Sequence, residues 1–299
     1  GRRVMSEAAD HLRVALGQMC SATTHAPNIA VMQEFARDAA AAGADLLCLP
    51  EVAGLMCRDR EKALAQVKTA SEDPFLDAAR NAARRHNLWI QAGTTPIRPE
   101  GAEKFRNHAV LIAPDGDVVA AYDKIHLFDI ALDGQAPIGE SSRFDAGDQA
   151  VLVDTPWGAW GMSVCYDLRF AHLFRDYAKA GARMIFVPSA FTVTTGQAHW
   201  EVLLRARAIE TGSFIVAAAQ SGSHEDGRST YGHSMIVAPW GEILLDAGTA
   251  APALHICDLD LSRADHARAQ IPNLSNERPY QLSRKDARTK ARNPNEVYR

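Results

Sequence analysis

The stretch "WGAWGMSVCYDLRFAHLFRDYAKAGARMIFVPSA", residues 157–190, reads as strand, helix, strand. The apolar run 157–165 is strand-like, 168–181 reads as a helix closing on a glycine, and 182–190 returns to an apolar strand. Two strands separated by a helix make a parallel βαβ unit. The same texture recurs on both sides of it. Upstream, Leu12–Met19 is a strand, 28–43 an Ala-rich helix ending on Gly43, and 44–50 a strand. A second helix, 73–87, opens on an Asp-Pro start signal and leads to the strand 88–95. Two apolar runs around Pro-Asp-Gly-Asp then predict a hairpin over 107–124. Downstream, 197–212 is a helix, 213–220 a strand, and 231–248 a hairpin turning at Pro-Trp-Gly-Glu. Each half therefore runs through βαβ units to a hairpin. This pattern predicts an α/β fold of two packed sheets with helices outside, built from two similar halves, rather than one open sheet.

With 299 residues, 47% of them hydrophobic, the chain can bury a sizeable core. A formal net charge of -4 gives no electrostatic reason to expect nucleic acid or an anionic membrane as partner. No apolar segment has the length of a membrane span and the N-terminus lacks an apolar signal core, which points to a cytoplasmic protein. Residues 1–5, "GRRVM", are set aside from the fold, and the basic run "RKDARTKAR", 284–292, reads as a solvated tail. No phosphate-binding glycine loop is present, so nothing supports a nucleotide.

The five cysteines, Cys20, Cys48, Cys57, Cys165 and Cys257, include no CxxC pair and no Cys/His cluster at zinc spacing. Neither a metal nor a disulfide framework is expected, and no cofactor. Cys48 and Cys257 lie in runs that read as buried strands, where a thiol is a small hydrophobe. Cys165 differs: it stands where an apolar strand gives way to charge. Ligands in α/β sheets gather beyond the carboxyl ends of strands, and Glu51, Lys124 and Cys165 all fall at such ends. A thiol needs a base, an enclosed carboxylate can serve as one, and an ammonium can stabilise an oxyanion. Taken singly, each has an ordinary reading: a loop carboxylate, a solvated hairpin end, a buried thiol. Together they make an acyl-transfer set. His126, next to the lysine, reads as a structural hydrogen-bonding histidine rather than the base.

The segments "LLCLPE", "YDKIHLFDI" and "GMSVCYDLRF", in this order, resemble the three signature regions of the nitrilase superfamily of carbon-nitrogen hydrolases. The resemblance spans Leu12 to about Tyr280 and implies a four-layer αββα sandwich domain over 6–280, a C-terminal tail over 281–299, and a homodimer or higher homo-oligomer. It also implies Cys165 as nucleophile, Glu51 as general base, Lys124 as oxyanion stabiliser assisted by the Tyr166 backbone N–H, and Glu140 as a second glutamate holding Lys124 and the substrate or water. Relatives commonly continue "CYDLRF" with Pro-Glu; here Ala171 and His172 follow.

The resemblance makes Phe191 and Thr195, in the loop that opens the 197–212 helix, walls of the substrate pocket; an ordinary capped βα loop is the alternative. Arg169 is expected one turn into the helix after Cys165, where it could pair with a substrate carboxylate. Arg205 and Arg207 read as structural ion-pair or interface residues. The expected reaction is hydrolysis of a small carboxylated amide through a thioester. The second half looks most like the branch acting on deaminated glutathione, less like the omega-amidases of 2-oxoglutaramate; an N-carbamoyl amide hydrolase or a nitrilase could share the catalytic residues. A noncatalytic binding module would have no need for all of Glu51, Lys124 and Cys165. The polar loop 221–234 could reach a substrate tail or be plain solvent loop.

Overall fold

Alternation along the strand His11–Gln18 divides its side chains between two cores: Leu12, Val14 and Leu16 join one apolar cluster, Ala15 another. The same division runs through both sheets of the protein. In this computed structural model, which describes residues 8–286, a seven-stranded sheet runs in the order Ala253–Asp260, His11–Gln18, Leu46–Cys48, Trp89–Gln91, Arg106–Ile112, Thr95–Ile97, with Val118–Asp123 also paired to Arg106–Ile112. A six-stranded sheet runs Ile243–Asp246, Met235–Val237, Phe214–Ala217, Ala182–Phe186, Gly158–Gly161, Leu152–Thr155. In each, three neighbouring strands are parallel and the flanking pairs antiparallel. The two halves thus repeat one topology.

The inner faces meet in a cluster that includes Leu12, Leu46, Leu111, Trp160, Met184, Phe186, Phe214 and Ile236. The outer face of the first sheet packs on the helices His25–Ala41 and Pro74–His86 through Met32, Phe35, Phe75 and Ala79. The outer face of the second packs on Ala171–Lys179 and Glu201–Thr211 through Phe174, Tyr177, Trp200 and Leu204. The order of layers is αββα, as expected.

Local signals explain the boundaries. Asp73 Oδ1 accepts the Leu76 N–H at 2.9 Å, Pro74 opens the helix, and Asn87 leaves it with φ 51°. The predicted hairpin forms from Arg106–Ile112 and Val118–Asp123.

Five features differ from expectation. The strand entering Cys165 ends at Gly161, and a 3-10 turn, Cys165–Arg169, precedes the helix Ala171–Lys179, so Arg169 stands before the helix and not within it. Cys257 is only partly buried, packed at the margin of the inner apolar cluster on the edge strand Ala253–Asp260, which pairs only with His11–Gln18. The segment 127–147 reads as a loop in the sequence, but Asp129–Ile130 pairs with Ile138–Gly139 there, and Glu140–Ser142 forms a 3-10 turn. The loop 221–234 holds a small hairpin of Ser221–Ser223 and Ser229–Tyr231. The helices Arg60–Gln66 and Ser262–Gln270 and the strand Leu152–Thr155, all short, are additional. No helix among the described residues is long and apolar enough to cross a membrane. The first five residues and most of the basic run 284–292 lie outside the described residues.

Candidate active site

Three strand ends converge, one from each signature region. Glu51 follows Leu46–Cys48 by three residues, Lys124 directly follows Val118–Asp123, and Cys165 lies beyond Gly158–Gly161. Strained backbone marks two of these places. Val52, immediately after Glu51, has φ 52°, and Cys165 itself has φ 48°. Left-handed conformations are costly for such residues and persist only where surrounding structure enforces them. At Val52 the backbone N–H donates to Thr94 Oγ1 at 2.7 Å. Gly93, at φ +63°, lies so close to the Pro50 carbonyl that a Cβ there would stand 1.9 Å from its oxygen. That close approach fixes the segment carrying Glu51.

The charged groups then meet out of water. Lys124 Nζ stands 3.0 Å from Glu51 Oε1 and 2.8 Å from Glu140 Oε2, with side-chain exposures of 2%, 7% and 12% for lysine, Glu51 and Glu140. Glu51 Oε2 accepts the Ala190 N–H at 2.9 Å, and Glu140 Oε2 accepts the Phe128 N–H at 2.6 Å. Burial alone would pull the Lys124 ammonium down, but Glu140, then Glu51, more than offset it and hold its pKa well above the ordinary lysine value. Of its three N–H donors, two are taken by these carboxylates.

Cys165 is buried, and desolvation first, then the negative Glu51 that shares a hydrogen bond with it, push its thiol well above the ordinary value, against the opposing pull of Lys124. The resting group is therefore a thiol beside a carboxylate, a pair able to pass a proton as the sulfur attacks. Tyr166 lies in the first turn of the 3-10 segment, where N–H groups have no intrahelical acceptor. Its ring packs edge-on to Phe128 at 5.1 Å.

Arg169, Phe191 and His199 form a neighbouring group. The Arg169 guanidinium lies 3.2 Å from His199 Nδ1 and 5.7 Å over the Phe191 ring, which in turn packs on Trp200 at 4.7 Å. Thr195 is buried with its hydroxyl 2.7 Å from Thr192 Oγ1, and Thr192 caps the short helical turn that follows. His126 is structural in its contacts: its ring bonds Asp167 at 2.7 Å and stacks on Phe170 at 3.5 Å. Arg207 bonds Glu210 and the Leu168 carbonyl, and Arg205 bonds Glu201 and the Gly241 carbonyl. The loop 221–234 contributes Glu225 and Asp226 to a cleft of about 600 Å³ with Arg58 and Lys62; none of the residues around Cys165 lines it.

Two members of the site went unnoticed in the sequence. Asn107, buried, donates from Nδ2 to Glu51 Oε1 at 2.9 Å and to Glu140 Oε1 at 3.2 Å. Asp167 accepts the Tyr122 hydroxyl at 2.6 Å, the Val164 N–H at 2.9 Å and the His126 N–H at 3.0 Å, tying the cysteine turn to the lysine hairpin. Its place two residues from Cys165 was the available signal; Asn107 offered none beyond a polar residue in an apolar hairpin. Among the described residues, no group of three or more His, Cys, Asp or Glu side chains could hold a metal ion.

Known proteins place the chain in a family. The carbon-nitrogen hydrolase family matches residues 13–269. Over 269 residues the chain is 40% identical to a deaminated glutathione amidase of Synechocystis, covering 88% of this chain and 97% of that protein. The Caenorhabditis elegans NitFhit crystal structure superposes with TM-score 0.84 at 35% identity, over 91% of this chain and 66% of that one. An amidase of Nesterenkonia, solved with acrylamide added at its active-site cysteine, superposes with TM-score 0.72 at 28% identity, over 88% of this chain and 98% of that one. The chain belongs to the carbon-nitrogen hydrolase family, within the nitrilase superfamily, and is a hydrolase acting on amides.

Proposed function

We propose that this amidase cleaves a small carboxylated amide through a thioester on Cys165, with deaminated glutathione as its substrate. The observation that carries the mechanism is the buried meeting of Lys124 with Glu51 and Glu140 beside the strained Cys165 turn. Cys165 Sγ attacks the amide carbon while its proton passes to Glu51. The carbonyl oxygen, now an oxyanion, takes the remaining Lys124 N–H and the Tyr166 N–H. As the tetrahedral intermediate collapses, the C–N bond breaks, Glu51 returns the proton to the leaving nitrogen, and the acyl group stays on sulfur. Water, deprotonated by Glu51, then adds to the thioester; the departing Cys165 thiolate takes that proton back from Glu51, which gives the carboxylic acid product and regenerates the enzyme. Glu140 holds Lys124 in place and helps order the water.

Two lines support the substrate. Relatives of that activity match nearly the whole chain, and Arg169 stands close to Cys165 in sequence with Phe191 under its guanidinium. Deaminated glutathione has a 2-oxo acid head, a scissile amide and a peptide tail. Arg169 can take the head carboxylate in two parallel hydrogen bonds, which sets the distance from that charge to the attacked carbon. Phe191 and Thr195 wall the pocket. The catalytic domain spans 6–280, followed by the tail 281–299, and the enzyme works as a homodimer.

A comparison of kcat/KM tests the substrate. Deaminated glutathione should be hydrolysed faster than 2-oxoglutaramate, and Arg169→Ala should lose both strongly because the shared head loses its anchor. A wide preference for 2-oxoglutaramate would move the enzyme to the omega-amidase branch. Preference for an N-carbamoyl amino acid would remove the 2-oxo acid head from the account altogether.

A further inference from the structure

Asn107 occupies the second position of the strand Arg106–Ile112 and is only 2% exposed. Its two Nδ2 donors face Glu51 Oε1 and Glu140 Oε1, and its backbone carbonyl accepts the Lys124 N–H at 3.0 Å. Its Oδ1 has no partner. The amide can be oriented in one way only, since turning it over would set a carbonyl oxygen against two acceptor-only carboxylates. One residue therefore touches all three members of the charged cluster: both glutamates by its side chain, the lysine by its backbone.

We propose that Asn107 is a positioning residue for amide hydrolysis, holding Glu51 and Glu140 in register around Lys124 so that Glu51 faces the Cys165 thiol. This rests on the reading of Glu51 as base. Two carboxylates packed around a single ammonium need further hydrogen-bond donors to hold them side by side. The groups facing Glu51 are Lys124, the Cys165 thiol, the Ala190 N–H and Asn107; those facing Glu140 are Lys124, the Phe128 N–H and Asn107. Asn107 is the single neutral side chain giving a hydrogen bond to each carboxylate. Asn107 reaches the substrate through Glu51 and Glu140, so its removal acts on kcat more than on KM.

The pH dependence of kcat/KM in Asn107→Ala and Asn107→Asp, with thermal unfolding of each, tests this. Asn107→Asp keeps the shape but adds a third carboxylate. It should move the acid limb of the profile up by about one pH unit or more, with at least about tenfold lower kcat at neutral pH, partial recovery at higher pH, and KM within about threefold. Asn107→Ala should move the limb the same way by less. A uniform loss of activity with the acid limb unmoved, or a loss carried by KM, would reduce Asn107 to a structural residue and overturn the proposal. Should Asn107→Ala fail to fold, the isosteric Asn107→Asp still reads the limb. Glu51→Gln separates the two levels. A kcat loss of about 10²-fold or more there, beside unmoved Asn107 variants, defeats this proposal alone; a loss under about threefold removes the base assignment beneath it.

Discussion

At the scale of single residues, the site is a balance between desolvation and neighbours. Cys165 is surrounded by influences of opposite sign: burial and Glu51 raise its thiol pKa, Lys124 lowers it, and the raising influences prevail. The sign has a kinetic consequence. A group with a raised acid pKa stays protonated at neutral pH, so the free enzyme holds a thiol, and in the mechanism we propose the thiolate forms only as Glu51 removes the proton during attack. Iodoacetamide labelling of the free enzyme, followed by peptide mass spectrometry, should therefore be slow at Cys165 at pH 7 and still rise with pH above the ordinary thiol range. A plateau of fast labelling below pH 7 would mean a preformed thiolate instead. The exposed Cys20 serves as the internal comparison, although its own pKa is raised more by partial burial than by Glu225. Cys165, Glu51 and Lys124 were legible because each ends an apolar run with a reactive group. Asn107 was not, because a lone Asn in a hairpin strand carries no signal until a tertiary fold sets two carboxylates against it.

At the scale of elements, the decisive piece is the turn between the strand Gly158–Gly161 and the helix Ala171–Lys179. Met162 and Val164 extend the apolar pattern of the strand to Cys165, yet residues 162–164 leave the ladder and the chain enters a 3-10 turn at φ 48°. Asp167 holds that turn, accepting from Tyr122, Val164 and His126 at once. Asp167→Asn replaces an acceptor oxygen with a donor in a site where every neighbour already donates. At least one buried donor is left unmet, and the cost should be about 1–3 kcal/mol of stability by denaturant or thermal unfolding. Unchanged stability would mean that the carboxylate is not the anchor of the turn. Elements with strong periodicity and paired end signals, such as Pro74–His86 between Asp73 and Asn87, were read to within a residue. Short ones, such as Leu152–Thr155 and Arg60–Gln66, escaped because four to seven residues hold too little periodicity and take their form from tertiary pairing.

At the scale of the whole molecule, two copies of one topology are packed face to face, and the reactive groups sit where strand ends of both sheets meet. Glu51 and Lys124 come from the first sheet and Cys165 from the second, so the sheet-to-sheet core of Leu46, Leu111, Trp160 and Phe186 sets the distance between Glu51 and Cys165. The layer order was legible because both halves repeat βαβ and hairpin signals. The edge strand Ala253–Asp260 was misread as buried because its apolar run matches that of an interior strand, while its partner on only one side is a tertiary fact. The central claim is that amide cleavage passes through a covalent bond to the buried thiol of Cys165. Its most direct test is peptide mass spectrometry of enzyme acid-quenched during turnover of deaminated glutathione. The expected result is the acyl half of the substrate attached to the peptide bearing Cys165 and discharged by hydroxylamine; an acyl group attached to any other side chain would contradict it.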